Sequence, residues 1–117
     1  MIDTKLRAVI KGTGSALPKR LVSNAELAKT VDTSDEWITE RTGIKQRYIA
    51  GEGETTATMA AEASQRALEA AGMTPADIDL IIVATATPDQ TFPASATIVQ
   101  HLLGVHGGVA FDVAAVC

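Results

Sequence analysis

Apolar and polar positions along the chain change rhythm several times, and each change predicts an element. Leu6 to Ile10 is aliphatic and alternating, which predicts a first strand, and Gly12-Thr13-Gly14-Ser15 predicts the flexible turn that ends it. Asn24 is of a helix-capping type and predicts a short helix over Ala25 to Thr30, with Leu27 and Ala28 facing inward. A clearer helix is predicted from Thr33 to Gly43. Thr33 or Ser34 supplies the cap, Asp35 and Glu36 sit in the first turn where the helix dipole favours acids, and Gly43 is the stop. Ile44 to Ile49, which carries Lys45, Arg47 and Tyr48, reads as an exposed basic strand or loop. Gly51-Glu52-Gly53-Glu54 is a polar break too short for a domain linker.

The longest stretch of helical period runs from Thr55 or Thr56 to Ala71 and stops at Gly72. Met59, Ala60, Ala63, Ala67, Leu68 and Ala71 form its apolar face, expected to lie on a sheet, and Glu62 and Arg66 form a favourable pair four residues apart on the other. Thr74-Pro75-Ala76-Asp77 predicts a single capped turn. Leu80 to Ala86 is a nearly continuous apolar run, the pattern of a strand covered on both faces. A loop from Thr87 to Pro93 follows, then a helix capped by Ser95, reaching Leu103 and stopped by Gly104. The last stretch, Gly108 to Cys117, opens with an apolar run that predicts a buried strand, followed by small residues and then by the only cysteine. This alternation of strands and helices predicts an α/β layered fold with mostly parallel strands and no internal repeat.

Composition narrows the picture. The 117 residues suit one domain, and 46% hydrophobic against 3% aromatic residues means an aliphatic, alanine-rich core. A net charge of −4 implies no general affinity for nucleic acid or anionic membrane. A single cysteine excludes an internal disulfide and fits a reducing compartment. The opening MIDTKLRAVIKGTG mixes charges with apolar residues and matches neither a signal peptide nor a membrane span, so a soluble cytoplasmic protein is expected.

Four places invite chemistry. Gly12 and Gly14 match the start of a dinucleotide-binding GxGxxG, but Leu17 stands at the third glycine and Pro18 follows, so that reading fails. Trp37 and Arg41 share a helix face and together make a platform for a flat anionic ligand; the plainer alternative, which spacing alone favours, is a core tryptophan beside a solvated arginine. Phe92, in a loop between two prolines, is either a packing plug or the wall of a pocket. Cys117, at the junction of a strand and an expected helix, is either a small core hydrophobe or a nucleophile whose thiolate a helix N-terminus would favour.

Taken together, GTGSALP at 12 to 18, VDTSDEWITERTGIKQRYIA at 31 to 50, AAG at 70 to 72, LIIVATATPDQTFPASA at 80 to 96 and FDVAAVC at 111 to 117 resemble β-ketoacyl-acyl carrier protein synthase III. This family comprises the initiating condensing enzymes of bacterial fatty acid synthesis. The resemblance covers essentially the whole chain, and TSDEWI followed by RTGI is its most specific part. It implies the thiolase-like layered fold with a mixed, mostly parallel sheet, of which this chain resembles the N-terminal half ending at the nucleophile.

The same resemblance implies roles. Cys117 matches the residue that is acylated, Thr33, Trp37 and Arg41 match positions that bind the coenzyme A nucleotide, and Phe92 matches an aromatic that reaches across the family's homodimer to line the partner's acyl pocket. The implied substrates are a short acyl-CoA, most simply acetyl-CoA, and malonyl-acyl carrier protein; no metal and no cofactor is implied. The family's catalytic His and Asn lie beyond Cys117, and His101 and His106 read as surface or cap residues. Lys45 and Arg47 are weighed as phosphate contacts against a solvated edge. Val116 stands where alanine is common in the family. Two rivals remain: another thiolase-like condensing enzyme making a polyketide, quinolone or 3-hydroxy-3-methylglutaryl product, and, for the isolated 117 residues, a non-catalytic, aggregation-prone segment.

Overall fold

The computed structural model describes residues 6–115, which divide into two compact units. Leu17–Thr55 form one; Thr56 onward, with the segment up to Ala16, form the other.

In the first unit, strand β1 (Arg20–Ser23) pairs antiparallel with β2 (Gln46–Ile49), from Arg20 opposite Ile49 to Ser23 opposite Gln46. The basic strand was expected at β2; its partner β1 was not. Helix α1 (Asn24–Leu27) follows β1 directly. Its cap is Ser23, whose extended backbone lets Oγ accept the Glu26 N–H at 3.1 Å, so the cap lies one residue before the expected Asn24 and the Asn24 side chain is left for other partners. Ala28, expected to face inward, is exposed, and the helix ends at Leu27 rather than Thr30. Helix α2 (Asp35–Thr42) starts at the Ser34 cap and ends at Gly43, whose left-handed φ of 73° lets its N–H return to the Thr39 carbonyl at 2.8 Å. Only Val22, Asn24 and Ile38 are buried among the described residues of this unit.

The second unit holds helix α3 (Thr56–Ala71), a single 3-10 turn (Pro75–Asp77), strand β3 (Leu80–Ala84), helix α4 (Ser95–Leu103) and strand β4 (Val109–Val113). β3 and β4 are parallel, from Leu80 opposite Val109 to Ala84 opposite Val113. The expected capped turn forms: the Asp77 carboxylate accepts both the N–H and the hydroxyl of Thr74 at 2.8 Å. Ala57, Ala61 and Val99 make the buried core, with Ala60, Ile81, Val83, Ile98 and Leu103 packed around it. The alanines of α3 let α4 approach closely, and Ile81 and Val83 of β3 pack against the same cluster, so α3 meets both α4 and, as its periodicity suggested, the sheet.

Three expectations change here. Leu6 to Ile10 pairs with no described strand and is exposed, because an alternating pattern cannot supply the ladder partner that a strand requires. Gly12 and Gly14 are not a flexible turn. A Cβ on Gly12 would lie 2.8 Å from the Ala71 amide nitrogen and one on Gly14 2.5 Å from that of Ala67, so the glycines allow the main chain to lie against α3. The Arg66 guanidinium, paired with Glu62, also donates to the Ser15 carbonyl on this side. Third, β3 is covered on one face only: Ile81 and Val83 turn to the helices, whereas Leu80 and Ile82 are about half exposed, as are Val109 and Phe111 on β4.

The cap of α4 also differs from expectation. Ala94 holds the cap position without a side-chain bond, and Ser95 is buried within the first turn. Asp112 of β4 does the capping: its carboxylate accepts the N–H groups of Ser95 at 2.7 Å and Ala96 at 2.8 Å, which joins the helix to the strand.

Candidate functional site

Helix geometry sets the orientation of α2. Asp35 to Thr42 spans little more than two turns, and Ile38 is its single buried residue, so Trp37 and Arg41, one turn apart, project outward. The Ser34 hydroxyl accepts the Trp37 N–H at 3.1 Å and fixes the start of the turn. Trp37 is 53% exposed, and the Arg41 guanidinium carbon stands 4.5 Å from its ring centroid. That distance is a cation–π contact, worth on the order of 0.5–1 kcal/mol at an exposed site. The core-tryptophan alternative is therefore wrong: Ile38 occupies the inward position and the indole is presented to solvent with a cation already over one face.

Thr33 completes this cluster. Its Oγ1 is buried and has no hydrogen-bond partner among the described residues. With Asp32, Ser34 and Trp37 it lines an open hollow of about 400 Å³. A buried hydroxyl without a partner is uncommon.

Behind α2 lies a polar network that capping propensity alone did not reveal. Asn24 is 1% exposed, and its Nδ2 donates to Asp35 Oδ1 at 2.7 Å and to the Ile44 carbonyl at 2.8 Å. Its Oδ1 accepts from Arg47 Nη2 at 2.6 Å, and Arg47 Nη1 reaches the Val22 carbonyl at 3.4 Å. Asp35 also accepts from the Thr39 hydroxyl at 3.2 Å and faces Lys45 Nζ at 3.6 Å. The Asn24 hydrogen bond, then the Lys45 charge and the Thr39 bond, outweigh desolvation and hold the Asp35 carboxyl below the usual carboxylate range. Lys45 and Arg47, weighed as phosphate contacts, are thus engaged inside the unit, Arg47 by its hydrogen bonds and Lys45 by an exposed ion pair. The available signal for Asn24 was a second residue of capping type directly after Ser23, since a helix needs only one cap.

In the other unit, Phe92 is 87% exposed in the loop between β3 and α4, so it is no packing plug. The loop itself is anchored: Asp89 accepts the Ala57 N–H at 3.1 and 3.2 Å, its own N–H donates to Ser95 Oγ at 3.2 Å, and Thr56 Oγ1 donates to the Thr87 carbonyl at 2.8 Å. The aromatic therefore projects from a fixed base. His101 and His106 are both exposed. Val116 and Cys117 lie outside the described residues. Among the described residues, no group of three His, Cys, Asp or Glu side chains is placed to hold a metal ion, and no helix is long and apolar enough to cross a membrane.

No family model matches the chain. Among curated proteins it is 71% identical, over 112 residues, to the beta-ketoacyl-acyl carrier protein synthase III of Novosphingobium aromaticivorans, covering 96% of this chain and 34% of that protein. Among solved structures it is similar to 3-oxoacyl-acyl carrier protein synthase III from Aquifex aeolicus, at 53% identity and a TM-score of 0.84 over 89% of this chain and 33% of that one. A priming β-ketosynthase of the R1128 polyketide biosynthetic pathway matches at 41% identity and a TM-score of 0.85, over 92% of this chain and 34% of that one. The chain spans about a third of the length of the curated relatives it matches.

The parallel β3–α4–β4 unit and these structural neighbours define a thiolase-like α/β segment. Over the third of their length that it spans, the chain is similar throughout to β-ketoacyl-acyl carrier protein synthase III.

Proposed function

We propose that the complete protein carries out the decarboxylative condensation of a short acyl-CoA with malonyl-acyl carrier protein, and that this segment supplies its nucleotide platform and its nucleophile. The observation that carries the proposal is the Thr33, Trp37 and Arg41 cluster. An outward-facing indole offers a stacking surface, a guanidinium at 4.5 Å offers charge for a phosphate, and the hollow that Thr33 lines lies beside them. A purine nucleotide such as that of coenzyme A can use the stacking surface and the charge together.

In the proposed reaction the Cys117 thiolate attacks the thioester carbonyl, coenzyme A departs as its thiolate, and an acyl-cysteine remains. Malonyl-acyl carrier protein then loses carbon dioxide; the resulting carbanion attacks the acyl carbon and the cysteine thiolate is released. The products are a β-ketoacyl-acyl carrier protein, coenzyme A and carbon dioxide, with no cofactor consumed. Phe92, exposed on an anchored loop, suits the reading that it lines the acyl pocket of a second copy in a homodimer. A cytoplasmic location goes with acyl-CoA as substrate.

Trp37→Ala and Arg41→Ala in the complete protein test the platform. Each is expected to raise KM for acetyl-CoA with little change in kcat, because the nucleotide is remote from the reacting bond. An unchanged KM in both variants removes the cluster from the site. The likeness to a polyketide priming β-ketosynthase supports a second reading, in which the condensation primes a polyketide. Comparing kcat/KM with the malonyl-acyl carrier proteins of fatty acid and of polyketide synthesis decides between them.

A further inference from the structure

We infer that Asn24 is a positioning residue for the nucleotide platform, a single amide that grips both ends of α2; this rests on the nucleotide-binding reading of Trp37 and Arg41. The helix needs such a grip. It has only eight residues, too few to be stable alone, and buries one side chain, Ile38. One buried isoleucine tethers a short helix but leaves it free to rock and to rotate about its axis. Rotation by part of a turn would carry Trp37 and Arg41 away from the face they share.

The Asn24 amide removes that freedom. Its Nδ2 donates to Asp35, the first residue of α2, and to the carbonyl of Ile44, the residue just after the Gly43 cap. Two contacts at opposite ends of one helix, made by one side chain that is 1% exposed, fix axis and rotation together. Arg47 holds the amide in turn, through Oδ1 at 2.6 Å, and so decides which way round the amide lies. With Oδ1 turned to the guanidinium, Nδ2 must face the carboxylate and the carbonyl. The Asn24 side chain bonds to Asp35, Ile44 and Arg47 and not to Trp37 or Arg41, so its effect on a ligand passes through α2.

The test is made in the complete enzyme by measuring coenzyme A affinity by calorimetry and KM and kcat for acetyl-CoA, with Trp37→Ala alongside. Asn24→Ala is expected to raise both Kd for coenzyme A and KM about tenfold, with kcat within about twofold of the parent. Asn24→Asp places a second carboxylate against Asp35 and is expected to weaken binding at least as much. The double variant Asn24→Asp with Asp35→Asn restores the contact to the first residue of α2 with donor and acceptor exchanged but leaves the Ile44 carbonyl without its donor, and is expected to recover part of the lost affinity relative to Asn24→Asp. A folded Asn24→Ala enzyme with parental Kd and KM, or one that loses kcat alone, overturns the inference. If Asn24→Ala does not fold, the comparison of Asn24→Asp with the double variant decides: no recovery overturns it. Should Trp37→Ala raise Kd while the Asn24 variants do not, the inference fails and the platform stands; should Trp37→Ala leave Kd unchanged, the platform reading fails and this one with it.

Discussion

Replacing Asp112 by alanine isolates the contact that ties α4 to β4. In the parent structure, one carboxylate accepts the first two N–H groups of α4, those of Ser95 at 2.7 Å and Ala96 at 2.8 Å, and both residues are fully buried. Removing the carboxylate leaves two donors at a helix N-terminus without a protein partner. A buried donor left unsatisfied costs about 1–3 kcal/mol, and loss of a helix cap about 0.5–2 kcal/mol. The two donors are neighbours, and one water entering the vacated space would serve both, so the penalties do not simply add. A net loss of about 2–4 kcal/mol is expected. Asp112→Asn keeps one acceptor oxygen and is expected to lose about half as much. Urea unfolding of the complete protein, followed by circular dichroism, measures this as a shift in midpoint at constant slope. Asp32→Ala, at an exposed position, serves as the reference. If Asp112→Ala lies within about 0.5 kcal/mol of that reference, the ordinary range for surface changes, the carboxylate is not holding the helix and the reasoning is refuted.

The close approach of the chain to α3 makes a contrasting pair of glycine predictions. Gly14→Ala drives a Cβ against helix main-chain atoms that have no room to yield and should destabilise by about 1–3 kcal/mol, whereas Gly107→Ala, with nothing within 4 Å, should be neutral or slightly stabilising; equal unfolding midpoints for the two variants would count against the packing account. The folded pKa of Asp35 lies below its unfolded value, so its contribution to stability is fully present above about pH 4 and is lost as pH falls through the lower folded pKa. Carbon-13 NMR titration of the Asp35 carboxyl should show that low value, and Asn24→Ala should move it up toward the ordinary range; a parent value at or above that range would contradict the network.

The glycine stops of α2, α3 and α4 and the cap of α2 were legible because they are written locally. Gly43, Gly72 and Gly104 all take the left-handed conformation that glycine permits, and Ser34 caps α2 where a serine before two acids should. Strands were less legible, since a strand is defined by a partner elsewhere in the chain. Arg20–Ser23 gained one in β2 despite only four residues, while the more aliphatic Leu6 to Ile10 found none among the described residues. Spacing put Trp37 and Arg41 on one face of α2 but not on the outer one; that depends on Ile38, whose apolar stripe is a single residue wide. Asn24 and Asp112 were missed for a common reason. Each has its chemistry in hydrogen bonds to residues 11 or more positions away, which no local pattern encodes. An aspartate within the apolar run of β4 was nonetheless a visible anomaly, since a charge drawn partly out of water needs a partner.

The central claim is that this segment carries the residue to which an acyl group is transferred from coenzyme A, and it has a direct measurement. Brief exposure of the complete protein to acetyl-CoA without malonyl-acyl carrier protein, followed by acid quench and peptide mass spectrometry, should place one acetyl group on the peptide containing Cys117, slowly in Trp37→Ala and not at all in Cys117→Ser. Acetyl label elsewhere in the protein at undiminished rate in Cys117→Ser would contradict the account.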